Sequence, residues 1–228
     1  GIAAYNRGFE RAKGKYIVIL DDDSFPARQA IVRMVDKFEN DDQLGIVAFD
    51  VRNYAAYDRV AGDTYDEQSA QSSNYLMSFN GAGAGIRREL FQQIGYYPEE
   101  FFLYQNELDV ALKVLDRGFE IHFFPDVVSY HKFSPVNRAS TRAPYYYTRN
   151  AFWILWKHYP LDMSIGLTMK LVNLCLYHSM EQRTSVYLKA MCAAAFQVFK
   201  LKGKRAPIRK QIAKKIRAPL DVNFTFYR

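Results

Sequence analysis

The first part of the chain alternates short apolar runs with longer segments in which apolar residues recur at helical spacing. Residues 16–20 form a run rich in β-branched residues and bounded by turn signals, which is typical of a strand buried on both faces in a parallel sheet. From Pro26 onward, apolar residues three and four apart predict a helix, and residues 45–49 predict the next strand. The order strand, helix, strand indicates an α/β fold.

The pattern continues with two further helices and a pair of strands. Helices are predicted over residues 87–94 and 107–117, and each is followed by a glycine, a residue that commonly ends helices. Short strands are predicted at residues 121–124 and 127–130, one on each side of Pro125.

Past about residue 140 the pattern becomes helical, over residues 145–147, 149–150, 152–158 and 165–199, with no strand-like alternation. We therefore predict an α/β domain over residues 1–140 and a helical extension over residues 141–228. The most apolar stretches of the extension are too short, or too often interrupted by polar residues, to span a bilayer.

Charge is distributed unevenly along the chain. The net charge is +7, but residues 200–228 alone carry +9, so the first 199 residues have a net charge of −2. This distribution argues against a nucleic-acid-binding protein, because the body of the chain has no basic excess.

The basic tail contains a possible short amphipathic helix between Pro207 and Pro219. Isoleucines recur every four residues there, at Ile208, Ile212 and Ile216. Two interpretations stay open. Residues 200–228 dock on an anionic membrane surface, or the isoleucines pack against the protein's own domain.

Three consecutive carboxylates, Asp21, Asp22 and Asp23, follow the first predicted strand. One interpretation is helix capping, with Asp23 or Ser24 as the N-cap ahead of a helix that begins at Pro26. A cap explains one carboxylate, however, and the carboxyl end of a strand in an open sheet faces the ligand crevice. Hard oxygen ligands at that position favour a site for Mg²⁺ or Mn²⁺ that bridges a substrate diphosphate.

A second acidic cluster stands at the start of the helix predicted over 107–117. Glu107 and Asp109 are two residues apart, which is about 200° around a helix, so both cannot point into one pocket. Asn106 and Asp109 have the spacing of a capping-box variant, which leaves Glu107 as a candidate general base. The alternative for Glu107 is favourable interaction with the helix dipole.

Two other features have both a functional and a structural interpretation. Gly81, Gly83 and Gly85 permit close approach of the backbone to a ligand, but a simple turn is an equal alternative. His131 ends the last predicted strand, where it is either a metal ligand or an ordinary packed histidine.

In order and spacing, these segments resemble the family 2 glycosyltransferases of the GT-A fold. The resemblance covers roughly residues 1–150 and is carried by Asn6-Arg7-Gly8, residues 12–26, residues 81–91, Gly95, residues 101–109, Gly118 and His131. It implies a mixed, mainly parallel sheet flanked by helices. It also implies metal-dependent, inverting transfer of a sugar from a nucleotide-sugar donor to a hydroxyl acceptor.

The resemblance also implies roles for individual residues. Asp21 and Asp23 match the positions that bind the metal and the donor diphosphate, and His131 matches a histidine that completes the metal shell. Glu107 falls where the family carries its catalytic base, but Asn106-Glu107 replaces the usual Glu-Asp pair, so the choice between Glu107 and Asp109 stays open. The remaining donor-binding residues implied are Asn6, Asp22, Gly81 and Gly83.

In this family a nucleotide-binding half precedes the segment that resembles residues 6–8, and we expect it to lie upstream of this chain. The 228-residue chain alone is therefore predicted to bind donor weakly or not at all. Micromolar affinity for a nucleotide sugar in calorimetric titration would contradict this.

The resemblance further implies a saccharide or lipid-linked acceptor, no nucleic-acid partner, and a location in the cytoplasm, peripheral on the inner face of the cell membrane. Two alternatives are a nucleotidyltransferase that makes activated sugars and a non-catalytic membrane- or protein-binding module. The first would release pyrophosphate rather than nucleoside diphosphate. The second would bind no Mn²⁺ through Asp23.

Overall fold

A computed structural model describes residues 1–54, 74–132 and 141–224. The chain divides into two units. One, here called the sheet unit, comprises Tyr5–Tyr96 and Val110–Pro135. The other, here called the helical unit, comprises Gly1–Ala4, Tyr97–Asp109 and Val136–Arg228. The predicted domain boundary near residue 140 lies outside the described residues and stays a prediction.

The sheet unit contains six described strands and the helices that cover them. The strands are β1 (Tyr16–Ile19), β2 (Ser24–Pro26), β3 (Leu44–Asn53), β4 (Asn74–Tyr75), β5 (Ala84–Arg87) and β6 (Glu120–His131). The helices are α1 (Ala3–Arg11), α2 (Ala30–Asn40), α3 (Arg88–Ile94) and α4 (Asn106–Asp116), of which α1 and α4 begin in residues of the helical unit.

The sheet is mixed, as predicted, but it is not mainly parallel. The strand order is β1-β5-β3-β6-β2, with β4 also paired to β6. Among the described strands, only β3 and β6 pair in parallel, and the other pairs are antiparallel. Periodicity within one strand carries no information about the direction of its partner, so the sequence pattern could not reveal this.

The first strand and the helix after it pack as the apolar pattern indicates, with one correction. Pro26 does not open a helix, because it ends β2, and α2 begins at Ala30. β2 is an edge strand, where the missing N–H of proline costs no ladder hydrogen bond. The main cluster of this core consists of Ala30, Met34, Phe38, Leu44, Val47, Phe49, Phe124 and Val127.

The two short strands predicted around Pro125 are one continuous strand, β6. Its parallel register with β3 shifts at this point, because Phe49 pairs with Phe124 whereas Asp50 pairs with Val128. This irregularity takes up the proline within the strand, as bulges commonly do. β6 therefore continues without interruption to His131.

The helical unit is built from four described helices. They are α5 (Arg142–His158), α6 (Leu161–Glu181), α7 (Val186–Phe196) and α8 (Lys210–Lys215). The segments predicted to be helical at residues 145–147, 149–150 and 152–158 form one helix, which begins at Arg142. The long segment predicted over 165–199 is two helices. No helix in the described residues is both long and apolar enough to cross a membrane.

The basic tail packs against the helical unit. Ile208 and Ile216 are buried, and the Ile208 N–H donates to the His158 carbonyl at 2.8 Å. Of the two interpretations of the tail, packing of its isoleucines on the protein's own domain is the one observed. Docking of residues 200–228 on an anionic membrane surface stays a prediction.

Candidate active site

Three predicted site residues of the sheet unit lie together at the ends of their strands. Asp21 and Asp23 flank the turn between β1 and β2, and His131 is the last residue of β6. The pairing of β2 with β6 places Ser24 opposite His131, and the Lys132 N–H donates to the Asp23 carbonyl at 2.8 Å. Backbone pairing thus brings together residues more than one hundred positions apart in the chain.

The side chains of these three residues can share one cation. One ligand atom from each lies within 4.8 Å of the others, and His131 Nε2 is 2.9 Å from Asp23 Oδ1. All three are half-buried, so water and substrate oxygens have access to the remaining coordination positions. Two carboxylates and one imidazole form a donor set that fits a divalent ion.

Tyr5 is a contributor to this group that the sequence analysis missed. Its hydroxyl donates to Asp21 Oδ1 at 2.7 Å, which fixes the orientation of that carboxylate. The signal in the sequence was weak, since a tyrosine on one face of a short helix is ordinarily read as part of the core. Tyr5 directly precedes Asn6, a predicted donor-binding residue that is buried in α1.

The capping interpretation of the aspartates is wrong. α2 begins at Ala30, well beyond Asp23 and Ser24, and no side chain caps its first turn. Asp22, between the two predicted ligands, is exposed. Its predicted contact with the donor stays a prediction.

The predicted donor-binding glycines Gly81 and Gly83 are buried and lie in a turn, in which the Gly83 N–H donates to the Asn80 carbonyl at 3.2 Å. A side chain at Gly83 would meet Ser129 Oγ at 2.2 Å and Phe49 Cβ at 3.0 Å. Close packing within the sheet unit therefore explains the glycine at position 83. Gly81 is also buried, and contact of either glycine with a donor stays a prediction.

In the helical unit, Glu107 and Asp109 occupy the first turn of α4 but have different environments. Glu107 is partly exposed, whereas Asp109 is completely buried. Burial, together with the negative charges of Glu107 and Asp221, raises the pKa of the Tyr147 phenol. The prediction that both carboxylates cannot share one pocket agrees with these environments.

Asp109 belongs to a buried cluster of charged side chains. Its Oδ1 lies 2.6 Å from His158 Nε2 and 2.7 Å from Lys157 Nζ, and Lys157 also contacts Glu100 at 3.2 Å. Burial alone would lower the pKa of Lys157, but the carboxylates of Asp109 and Glu100 outweigh it and raise this pKa. A carboxylate held in this way is poorly placed to exchange protons with a substrate.

The loop that leads into α4 has a strained backbone. Phe102, Tyr104 and Gln105 have φ values of 63°, 62° and 64°, a region that residues other than glycine seldom adopt. Such strain persists only where the surroundings hold it, and it is concentrated at functional sites.

Two polar residues of α5 hold this loop. The Asn150 amide donates to the carbonyls of Phe101, Leu103 and Tyr104 at 3.2, 2.6 and 2.9 Å, and Arg149 donates to the Phe101 carbonyl at 2.6 Å. The sequence analysis missed this function. The available signal was the Arg-Asn pair directly ahead of an apolar helical run, which is an unusual position for two buried polar residues.

The chain is similar in sequence to parts of two known proteins. The chain is 28% identical to dTDP-rhamnosyl transferase RfbF of Shigella flexneri over 125 residues, which are 47% of this chain and 40% of that protein. It is 23% identical to the probable glycosyltransferase YdaM of Bacillus subtilis (strain 168) over 140 residues, 57% of this chain and 33% of that protein. These matches span less than half the length of either relative.

The fold is shared with solved structures. The crystal structure of GalNAc-T7 with UDP, GalNAc and Mn²⁺ matches with a TM-score of 0.57 at 14% identity, over 94% of this chain and 43% of that one. This likeness supports the mixed α/β architecture of the GT-A glycosyltransferases. The model of the family described as Glycosyl transferase family 2 matches residues 1–109. Residues 1–109, which include Asp21, Asp23 and the start of α4, are therefore similar to the family 2 glycosyltransferases.

Proposed function

We propose that the protein transfers a sugar from a nucleotide-sugar donor to a hydroxyl acceptor by a metal-dependent, inverting single displacement. The observation that carries this proposal is the cluster of Asp21, Asp23 and His131 at the ends of three strand segments. The family match of residues 1–109 supports the reaction class.

In this proposal, Asp21, Asp23 and His131 hold Mn²⁺ or Mg²⁺. The bound cation would neutralise the negative charge that develops on the departing nucleoside diphosphate. Tyr5 orients Asp21 through its 2.7 Å hydrogen bond, so that the carboxylate is already positioned before donor binds.

Glu107 is the proposed general base that accepts the proton of the attacking acceptor hydroxyl. Its partial exposure supports this role over Asp109, which is buried against Lys157 and His158. A carboxylate base is sufficient for a single displacement, because the acceptor oxygen becomes nucleophilic as its proton leaves. In this proposal, Asn106-Glu107 stands where the family has Glu-Asp, so the base is a glutamate, whose side chain is longer than that of aspartate.

The experiment uses the protein at its full natural length and a panel of nucleotide sugars with Mn²⁺ or Mg²⁺. dTDP-rhamnose comes first, because one relative is named a dTDP-rhamnosyl transferase. We expect release of nucleoside diphosphate with sugar transfer. Release of pyrophosphate would instead support a nucleotidyltransferase and reject the proposal.

The metal site has its own test. Replacing Asp23 by Ala is expected to abolish Mn²⁺ binding measured by electron paramagnetic resonance, and to lower the transfer rate about 100-fold or more. Asp42→Ala is the matched control, because that carboxylate is fully exposed and should leave both quantities unchanged. Equal Mn²⁺ binding by the wild type and Asp23→Ala would show that this cluster holds no metal.

A further inference from the structure

The helical unit contains a cleft of about 650 Å³ that the proposed chemistry does not use. Three aromatic residues line it, together with charged and amide side chains. The aromatic residues are Phe102, Tyr145 and Tyr146. Its volume is in the range of small-molecule sites.

The aromatic rings form a continuous row along this cleft. The ring centroids of Phe102 and Tyr146 are 5.4 Å apart, and those of Tyr146 and Tyr145 are 5.1 Å apart and nearly perpendicular. The Arg149 guanidinium lies over the Tyr146 ring, 4.8 Å from its centroid, and this cation–π contact restrains the ring. The row is therefore a positioned apolar surface with hydroxyl groups at its edges.

Phe102 is presented to solvent by a strained turn. Its φ and ψ are 63° and −48°, and the Leu103 N–H donates to the Phe101 carbonyl at 2.7 Å. This is close to the geometry of the rare γ-turn with positive φ. The side chain is 44% exposed, so the strain is not compensated by burial of the ring. Strain that displays an apolar ring is expected where the ring has a ligand to contact.

The cleft is lined by three cations, Arg149, Lys200 and Lys204, and two carboxylates, Glu99 and Glu100, so its charges nearly cancel. Glu100 is nearly buried and pairs with Lys204 at 2.8 Å as well as with Lys157. The Arg149 guanidinium donates to the Phe101 carbonyl and to Asn150 Oδ1. Lys200 Nζ donates to Gln197 Oε1 at 3.0 Å. Each cation of the lining thus has a protein acceptor, and the lining offers amide, carboxylate and hydroxyl groups beside aromatic faces.

We propose that this cleft binds an uncharged saccharide, the sugar end of the acceptor. Sugar rings have apolar C–H faces that stack on aromatic side chains and hydroxyl groups that pair with amides and carboxylates, and the cleft provides both. Its identification as an acceptor site rests on the proposed function, whereas saccharide binding itself does not.

The test measures saccharide binding in the absence of any donor. The full-length protein is applied to an array of neutral, acidic and phosphorylated glycans, and affinity for the best neutral glycan is then measured by calorimetry. Phe102→Ala and Tyr146→Ala are each expected to weaken binding about ten-fold. Tyr146→Phe, which keeps the ring, should retain binding.

Tyr177→Ala is the matched control, because this tyrosine is exposed on α6 and does not line the cleft. Its affinity for the glycan should equal that of the wild type. Circular dichroism confirms that each variant is folded. Absence of binding to any neutral glycan, binding to anionic glycans alone, or equal binding by wild type and Tyr146→Ala would each overturn the proposal.

Hydrolysis of the donor separates this proposal from the proposed function. Donor cleavage by water needs no acceptor, so the cleft variants should keep it while losing transfer to the glycan. If the wild type cleaves no nucleotide sugar but the cleft binds a glycan, the proposed function fails and the saccharide site stands.

Discussion

Replacing Glu107 by Gln is expected to lower kcat for sugar transfer by about 10²- to 10⁴-fold, with little change in KM for the donor. Glutamine has nearly the same size but cannot accept a proton at neutral pH, so the acceptor hydroxyl would attack without assistance. Steady-state kinetics of the full-length protein, with the nucleotide sugar and acceptor identified in the screen, measures this change.

Glu89→Gln is the matched control. Glu89, like Glu107, is a glutamate in the first turn of a helix, so both variants lose the same interaction with a helix dipole. We expect Glu89→Gln to keep wild-type kcat. Wild-type activity in Glu107→Gln would exclude Glu107 as the base, and loss of activity in folded Asp109→Asn alone would assign that role to Asp109.

Replacing Asp109 by Ala is expected to lower the free energy of unfolding by about 3 kcal/mol. The change leaves Lys157 buried with Glu100 as a single partner and removes the acceptor that lies 2.6 Å from His158 Nε2. Chemical denaturation followed by circular dichroism measures the effect. A difference from wild type of less than about 1 kcal/mol would show that the cluster is not required for stability.

The control for this prediction is Asp162→Ala, which removes an ion pair of the same type at the surface. Lys210 and Asp162 are both more than half exposed, so solvent screens their interaction and little stability should be lost. The contrast between the two variants isolates burial as the cause. Similar losses in both would contradict the argument.

The same cluster predicts a loss of stability in acid. Burial alone would raise the pKa of Glu100, but Lys157 and Lys204 lower it below its usual value of 4.5. The ionised carboxylate therefore stabilises the fold at pH values above 4.5, and this contribution is lost as the pH falls through the folded-state pKa. The stabilising contribution of Lys157 has the opposite pH dependence. Its raised pKa keeps the ammonium charged through the neutral range, and the contribution is lost only as the pH rises through that pKa.

The sequence identified Asp21 and Asp23 as candidate metal ligands, but it could not show that His131 lies beside them. Asp21 and Asp23 follow a strand with an unmistakable apolar pattern, and their two-residue spacing already indicates shared ligation. The 2.9 Å contact of His131 with Asp23 depends on the antiparallel register of β2 with β6. That register also explains why Pro26 ends a strand rather than opening a helix.

The resemblance indicated the reaction class and the candidate base, while the buried contacts were invisible in the pattern. The spacing from Asn106 distinguished Asp109 from Glu107, but it gave no sign that Asp109 is buried against Lys157 and His158. The domain boundary, the cellular location and the contacts with a donor remain predictions.

The sequence by itself determined, to within a few residues, where β1, α2, β3, α3 and α4 lie and which acidic residues accompany them, because apolar periodicity and turn residues act over short distances. Only the tertiary structure decided the strand directions, the burial of Asp109, the hold of Asn150 on the loop before α4, and the aromatic cleft. Those features depend on contacts between residues more than 40 positions apart, such as Asn150 with Leu103 and His131 with Asp23, and such contacts form only when packing brings the segments together.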